Sequence, residues 1–148
     1  MTSPPAGGTL QRWAFYDYVK QPDERNVIAD WLAGKPRQRM LLEAVLTQLS
    51  VLPIEEWEQD GDQFKWLTEP ANAGIGEFRF TCDGPAHRPL GCVGQGPKEF
   101  CLLVGVSKIT PPGTYTPVYY PADCFELARA RRLEVLAGTA TLVERQVP

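Results

Sequence analysis

The hydrophobic period changes midway along the chain, and that change restricts the fold more than any other feature. Leu42, Val45, Leu46 and Leu49 occupy the i, i+3, i+4, i+7 positions of an amphipathic helix. Residues 77–82 alternate instead, with Phe78, Phe80 and Cys82 on one side and Glu77, Arg79 and Thr81 on the other, as in a half-buried strand. A sequence holding both periods must pack helices on a sheet. At 148 residues it forms one domain, burying roughly 70% of its unfolded surface without a metal or disulfide staple.

The remaining segments extend this pattern. Residues 1–10, rich in Pro, Gly, Ser and Thr, are expected to be a disordered leader, 11–138 the single domain and 139–148 a C-terminal tail. The aromatic run over residues 11–19 predicts a first strand. Val27, Ile28, Trp31 and Leu32, then Gly34 and Pro36, predict a short helix joined to the second one as a hairpin. Residues 64–68, 75–82, 87–94 and 99–109 read as strands separated by Pro/Gly turns, and residues 122–137 as a closing helix. The fold class is α+β, a small mainly antiparallel sheet carrying an N-terminal helix pair and a C-terminal helix.

Charge and motifs narrow the function. The net charge is -3, but residues 1–63 hold six basic and ten acidic side chains whereas residues 64–148 hold nine and eight. Glu55, Glu56, Glu58, Asp60 and Asp62 form an acidic run, read as a solvated connector or as a surface for a basic partner. Phosphate-loop, GxSxG, HExxH and GxGxxG motifs are absent. One histidine and four cysteines without a CxxC pair argue against a metal site, and no cofactor is expected. No stretch approaches the ~18 apolar residues of a membrane span. A cytoplasmic protein with free thiols is expected, the cysteines serving as small core residues.

The second half carries the chemistry. Lys65, Arg79, Arg88 and Lys108 sit on predicted strands, and Arg129, Arg131 and Arg132 on the last helix. Two guanidinium groups meeting across a hairpin would hold a phosphate and neutralise the dianionic state of RNA cleavage by a neighbouring 2′-hydroxyl. Alternatively, Arg79 pairs with Glu77 and lies over the sheet edge. His87 is the candidate acid or base, and Tyr119 and Tyr120 are candidates for stacking a base, with packing against the last helix as the other reading.

From Phe64 onward the chain resembles the RelE/HigB-like toxins of type II toxin-antitoxin systems, including phage-encoded relatives. The matching pieces are Lys65-Trp66-Leu67, Gly76-Glu77-Phe78-Arg79, His87-Arg88, the segment LLVGVSK at 102–108, and the helix beginning Phe125-Glu126-Leu127-Ala128. The resemblance covers residues 11–136. It implies a RelE-like fold and a toxin-type endoribonuclease that cleaves mRNA by metal-free transesterification, in many members on the ribosome. Catalytic roles would then fall to Arg79, Arg88 and His87, and substrate binding to Lys65, Lys108, Tyr119 and Tyr120. RNA or the ribosome and a cognate antitoxin would be the partners. The sequence departs from the family in its acidic total, its single lysine at Lys108 and its longer Pro- and Tyr-rich loop. A different class of function is also compatible: a non-catalytic binding protein on the same scaffold, such as a phage-encoded inhibitor whose acidic face occupies a basic protein.

Overall fold

The structure, a computed structural model, describes residues 11–59 and 62–148. The expected leader and Asp60 lie outside the described residues. The chain is α+β, and its described elements run β1 (Ala14–Lys20), β2 (Arg25–Asn26), α1 (Val27–Leu32), α2 (Pro36–Ser50), β3 (Phe64–Trp66), β4 (Gly76–Phe78), β5 (Phe80–Thr81), β6 (Ala86–His87), β7 (Leu90–Val93), β8 (Glu99–Val104), β9 (Ser107–Ile109), β10 (Val118–Tyr120), α3 (Cys124–Ala137) and β11 (Thr141–Arg145).

Two sheets form where one was expected. The larger follows the order β11-β1-β8-β7-β4-β3, with β2 paired to β1, and the smaller follows β10-β9-β6-β5. Only the β1–β8 pair is parallel among the described ladders. Three strands predicted as continuous are broken: 75–82 at Arg79, 87–94 at Arg88-Pro89 and 99–109 at Gly105-Val106. Each break passes the chain from the large sheet to the small one or back. Pro89 has no N–H to donate to a ladder. At Gly105 a Cβ would lie 2.3 Å from the Trp31 ring, so the missing side chain is what lets α1 press against the bend.

Alternation along the strands sorts two cores. Phe15, Phe64, Phe78, Phe100 and Leu102 face α1 and α2, where Ile28, Leu42, Leu46 and Leu49 complete an apolar cluster around Trp57. The indole of Trp57 is 1% exposed, stacks on Phe15 and meets Phe64, Phe78 and Phe100 at 5.2–5.9 Å, while its Nε1 donates to Leu52 O. Trp57 thus anchors the middle of the acidic run in the core, and Glu58 accepts a hydrogen bond from the Trp66 backbone N–H at 3.0 Å. The opposite face buries Leu90, Cys92, Cys101 and Leu103 under Cys124, Ala128 and Val135 of α3. All four cysteines are buried free thiols.

Polar contacts fix the ends. Asn26 caps α1 by accepting from the Ile28 and Ala29 N–H groups, and its Nδ2 donates to Asp17. Asp17 also receives two hydrogen bonds from Arg145, at 2.7 and 2.9 Å. Residues 139–148, expected as a tail, therefore include the edge strand β11, antiparallel to β1. Its anchor is an ion pair rather than an apolar stripe, which is why hydropathy did not reveal it. α3 stops at Gly138, whose φ of +74° suits a left-handed cap.

Replacing Trp57 by Ala removes the hub of the aromatic cluster and should cost about 3–5 kcal/mol of unfolding free energy in urea titration. A loss below about 1 kcal/mol would show that the cluster closes without it. Arg145→Ala leaves the Asp17 carboxylate buried without its cation and should cost roughly 3 kcal/mol in the same measurement.

Candidate phosphate-binding site

The strand breaks gather charge on one face. Across the small sheet, Phe80, His87, Ser107 and Tyr120 are successive register partners, and so are Thr81, Ala86, Lys108 and Tyr119. Neighbours in a strand point to opposite faces, so these rows lie on opposite sides. Arg88 follows His87 and belongs to the side of Lys108 and Tyr119. Its backbone N–H donates to Val106 O, and its Nη1 donates to the His87 carbonyl at 2.8 Å. In the large sheet Lys65 stands directly across from Glu77.

Glu77 is the centre of this arrangement. Its side chain is 15% exposed, and burial raises its pKa above the ordinary carboxylate value against the opposing pull of Arg88, Arg79, Lys108 and Lys65. Arg79 Nε lies 3.8 Å from Glu77 Oε1. Burial, and next the charge of Arg79, push the Arg88 pKa below its usual value. Arg79 and Arg88 thus both act on Glu77, whose carboxylate also feels the charges of Lys65 and Lys108.

An aromatic wall and a cleft adjoin the cluster. The Lys108 Nζ lies 5.6 Å from the centroid of the Tyr119 ring, which meets Phe125 of α3 at 5.2 Å. Tyr119 therefore both flanks the cations and packs against the last helix. Arg88, Lys108, Pro85 and Thr110 line a cleft of about 480 Å³, large enough for a phosphate and an attached sugar.

His87 and Tyr120 are not brought to the cluster. His87 is 4% exposed, packed between Trp31 and Phe80 at 5.8 and 5.2 Å. Trp31 Nε1 can only donate, so Ser107 Oγ accepts from it at 3.3 Å and is free to donate to His87 Nδ1 at 3.0 Å. The ring also bonds the Cys82 backbone, and burial lowers its pKa below the usual histidine value. It is a neutral core group on the face away from the arginines. The signal was present in the sequence: consecutive strand residues such as His87-Arg88 or Tyr119-Tyr120 cannot share a face.

The helix cations also have structural duties. Arg131 Nη1 donates to Leu103 O at 2.7 Å and its guanidinium lies 4.7 Å from the Tyr18 ring centroid. Arg129 donates to Asn72 Oδ1 at 2.7 Å. Among the described residues no group of three or more His, Cys, Asp or Glu could hold a metal ion, and no helix is long and apolar enough to cross a membrane.

The raised pKa of Glu77 makes stability pH-dependent with a definite sign. The folded protein holds the Glu77 proton more tightly than the unfolded chain does. This contribution is therefore full below the unfolded value of 4.5 and is lost as pH rises through the folded value. Glu77→Gln mimics the protonated state. Its stability relative to the parent, read from urea midpoints at pH 4 and pH 8, should be more favourable at pH 8; the opposite order would mean that the four cations outweigh burial. In comparisons with protein-family models, curated proteins and solved structures, nothing matches this chain.

Proposed function

We propose that the protein is a toxin-type endoribonuclease of the RelE/HigB-like kind, binding RNA over the face formed by Lys65, Arg79, Arg88 and Lys108. The observation that carries this reading is that these four cations all bear on the buried Glu77 carboxylate, Arg79 at 3.8 Å and Lys65 directly across the ladder. Such clusters are costly unless a polyanion offsets them, and a ribose-phosphate backbone supplies regularly spaced negative charge. Tyr119 offers a flat surface for one base.

The reaction is attack of a ribose 2′-oxygen on the adjacent phosphorus, giving a 2′,3′-cyclic phosphate and a chain with a free 5′-hydroxyl. Arg79 and Arg88 neutralise the charge that builds on the phosphoryl oxygens, while Lys65 and Lys108 hold flanking phosphates. Glu77, rather than His87, is the titratable group beside the arginines. Its raised pKa makes the ionised carboxylate the stronger base, suited to take the 2′-hydroxyl proton, and water protonates the departing 5′-oxygen. No metal ion is needed for any of these roles. A cytoplasmic site of action and an antitoxin partner follow from this reading.

Expression in bacteria should arrest growth and yield RNA fragments with cyclic-phosphate ends, and purified protein should cleave in the presence of EDTA. Arg88→Ala should reduce cleavage about 10²-fold or more, the scale for losing one preorganised charge donor, whereas His87→Gln should leave the cleavage chemistry in place in protein that still folds. Harmless expression with no cleavage, or equal activity after Arg88→Ala, would remove the reading.

A further inference from the structure

β1 and β8 run parallel and side by side, so their carboxyl ends, at Lys20 and Val104, open on the same edge of the large sheet. α1 covers one face of that sheet and α3 the other. Past the strand ends, between the two helices, lies a cleft of about 280 Å³ bordered by Lys20, Asp30, Val104, Gly105 and Arg131 among others. Crevices outside the carboxyl ends of parallel strands, with helices on opposite faces, are where open α/β sheets bind their ligands.

The charges in this cleft are unevenly matched. Arg131 is 9% exposed, and burial holds its pKa below the usual guanidinium value. Its Nη1 donates to Leu103 O at 2.7 Å, which fixes the head at the end of β8 beside Val104 and Gly105 of the cleft wall. Among the described residues no carboxylate lies within ion-pair distance of it. Glu134, whose charge it feels, instead accepts from the Tyr18 hydroxyl at 2.8 Å. A guanidinium carries five N–H donors; none of the Arg131 nitrogens is a buried donor without a partner, so those not held by Leu103 lie against Tyr18 or open to the cleft. A buried cation without an acidic partner is costly, and a bound anion offsets that cost. Nearer the solvent, Arg25 pairs with Asp30 at 2.8 Å and also feels Asp23, while the exposed Lys20 makes no ion pair among the described residues.

Val27, Pro121 and Leu127 complete the cleft with apolar surface. A buried cation, an exposed cation and apolar walls suit a short chain with an anionic group at each end. We propose that this cleft binds a small aliphatic dicarboxylate, one carboxylate received by the Arg131 fork, the other by Lys20, and the methylene chain lying against Val27 and Leu127. The planar guanidinium matches a carboxylate with two parallel hydrogen bonds. The volume falls just below the roughly 300 Å³ at which sites for larger ligands begin, which favours a short molecule over a nucleotide. The site shares no residue with the Arg79–Arg88 face and goes beyond the reading above.

Calorimetric titration of the full chain with succinate, butyrate and inorganic phosphate tests it. Succinate should bind at least about tenfold more tightly than butyrate, which has the same chain length but one carboxylate, the scale of one charge-assisted hydrogen bond. It should exceed phosphate, which lacks the chain, by a similar factor. Lys20→Ala, at an exposed position, should weaken succinate about tenfold and leave butyrate unchanged. Arg131→Lys keeps the charge but loses the fork, and should weaken both acids about tenfold in protein whose urea midpoint shows that it folds. Arg88→Ala should leave succinate binding unchanged. Equal affinity for succinate and butyrate, phosphate binding as tightly as succinate, no succinate binding at millimolar concentration, undiminished succinate binding in Lys20→Ala, or its loss only in Arg88→Ala would overturn the proposal. Because the two sites use different residues, failure here and failure of RNA cleavage are separately visible.

Discussion

A buried carboxylate that feels the charges of four cations sets the character of this molecule. Glu77 lies 3.8 Å from Arg79, and its carboxylate also offsets the charge of the half-buried Arg88. Burial opposes the ionised form of Glu77 while the cations favour it, and burial prevails. Charge is thus stored at a cost, which the wide aromatic core on the other face of the sheet can bear.

The bends that create this cluster come from a few residues with no side chain or no donor to offer. Gly105 admits the Trp31 ring, and Pro89 interrupts the ladder beside Arg88. Trp31 in turn engages Ser107 and, through it, His87. One helix residue thereby fixes both the bend of the sheet and the neutral state of the lone histidine. The same bend turns Arg88 and Lys108 to the α3 side and leaves Ser107 and Tyr120 facing a cleft at α2.

Much of this was legible in the sequence, for reasons that differ by element. The spacing of Leu42, Val45, Leu46 and Leu49 located α2 because its apolar stripe meets a continuous core. Lys65, Arg79, Arg88 and Lys108 stand out in the sequence because each lies on or beside a strand with an apolar opposite face. The split into two sheets was not legible, since a break such as Gly105-Val106 keeps the apolar pattern running through a change of direction. β11 escaped because Arg145 reaches a buried carboxylate distant in sequence. Glu77 was visible as a neighbour of Arg79 but not as the shared partner of Lys65, Arg88 and Lys108, which depends on ladder register.

The central claim is that Arg79 and Arg88 act with Lys65 and Lys108 as one phosphate-binding face. The salt dependence of affinity for a short single-stranded RNA reads this directly, because each neutralised phosphate contributes about -0.7 to the slope of log K against log salt. The account predicts a slope near -2 to -3 for the parent protein, shallower by about 0.7 for each of Arg79→Ala and Arg88→Ala. A slope near zero, or one that both substitutions leave unchanged, would contradict it.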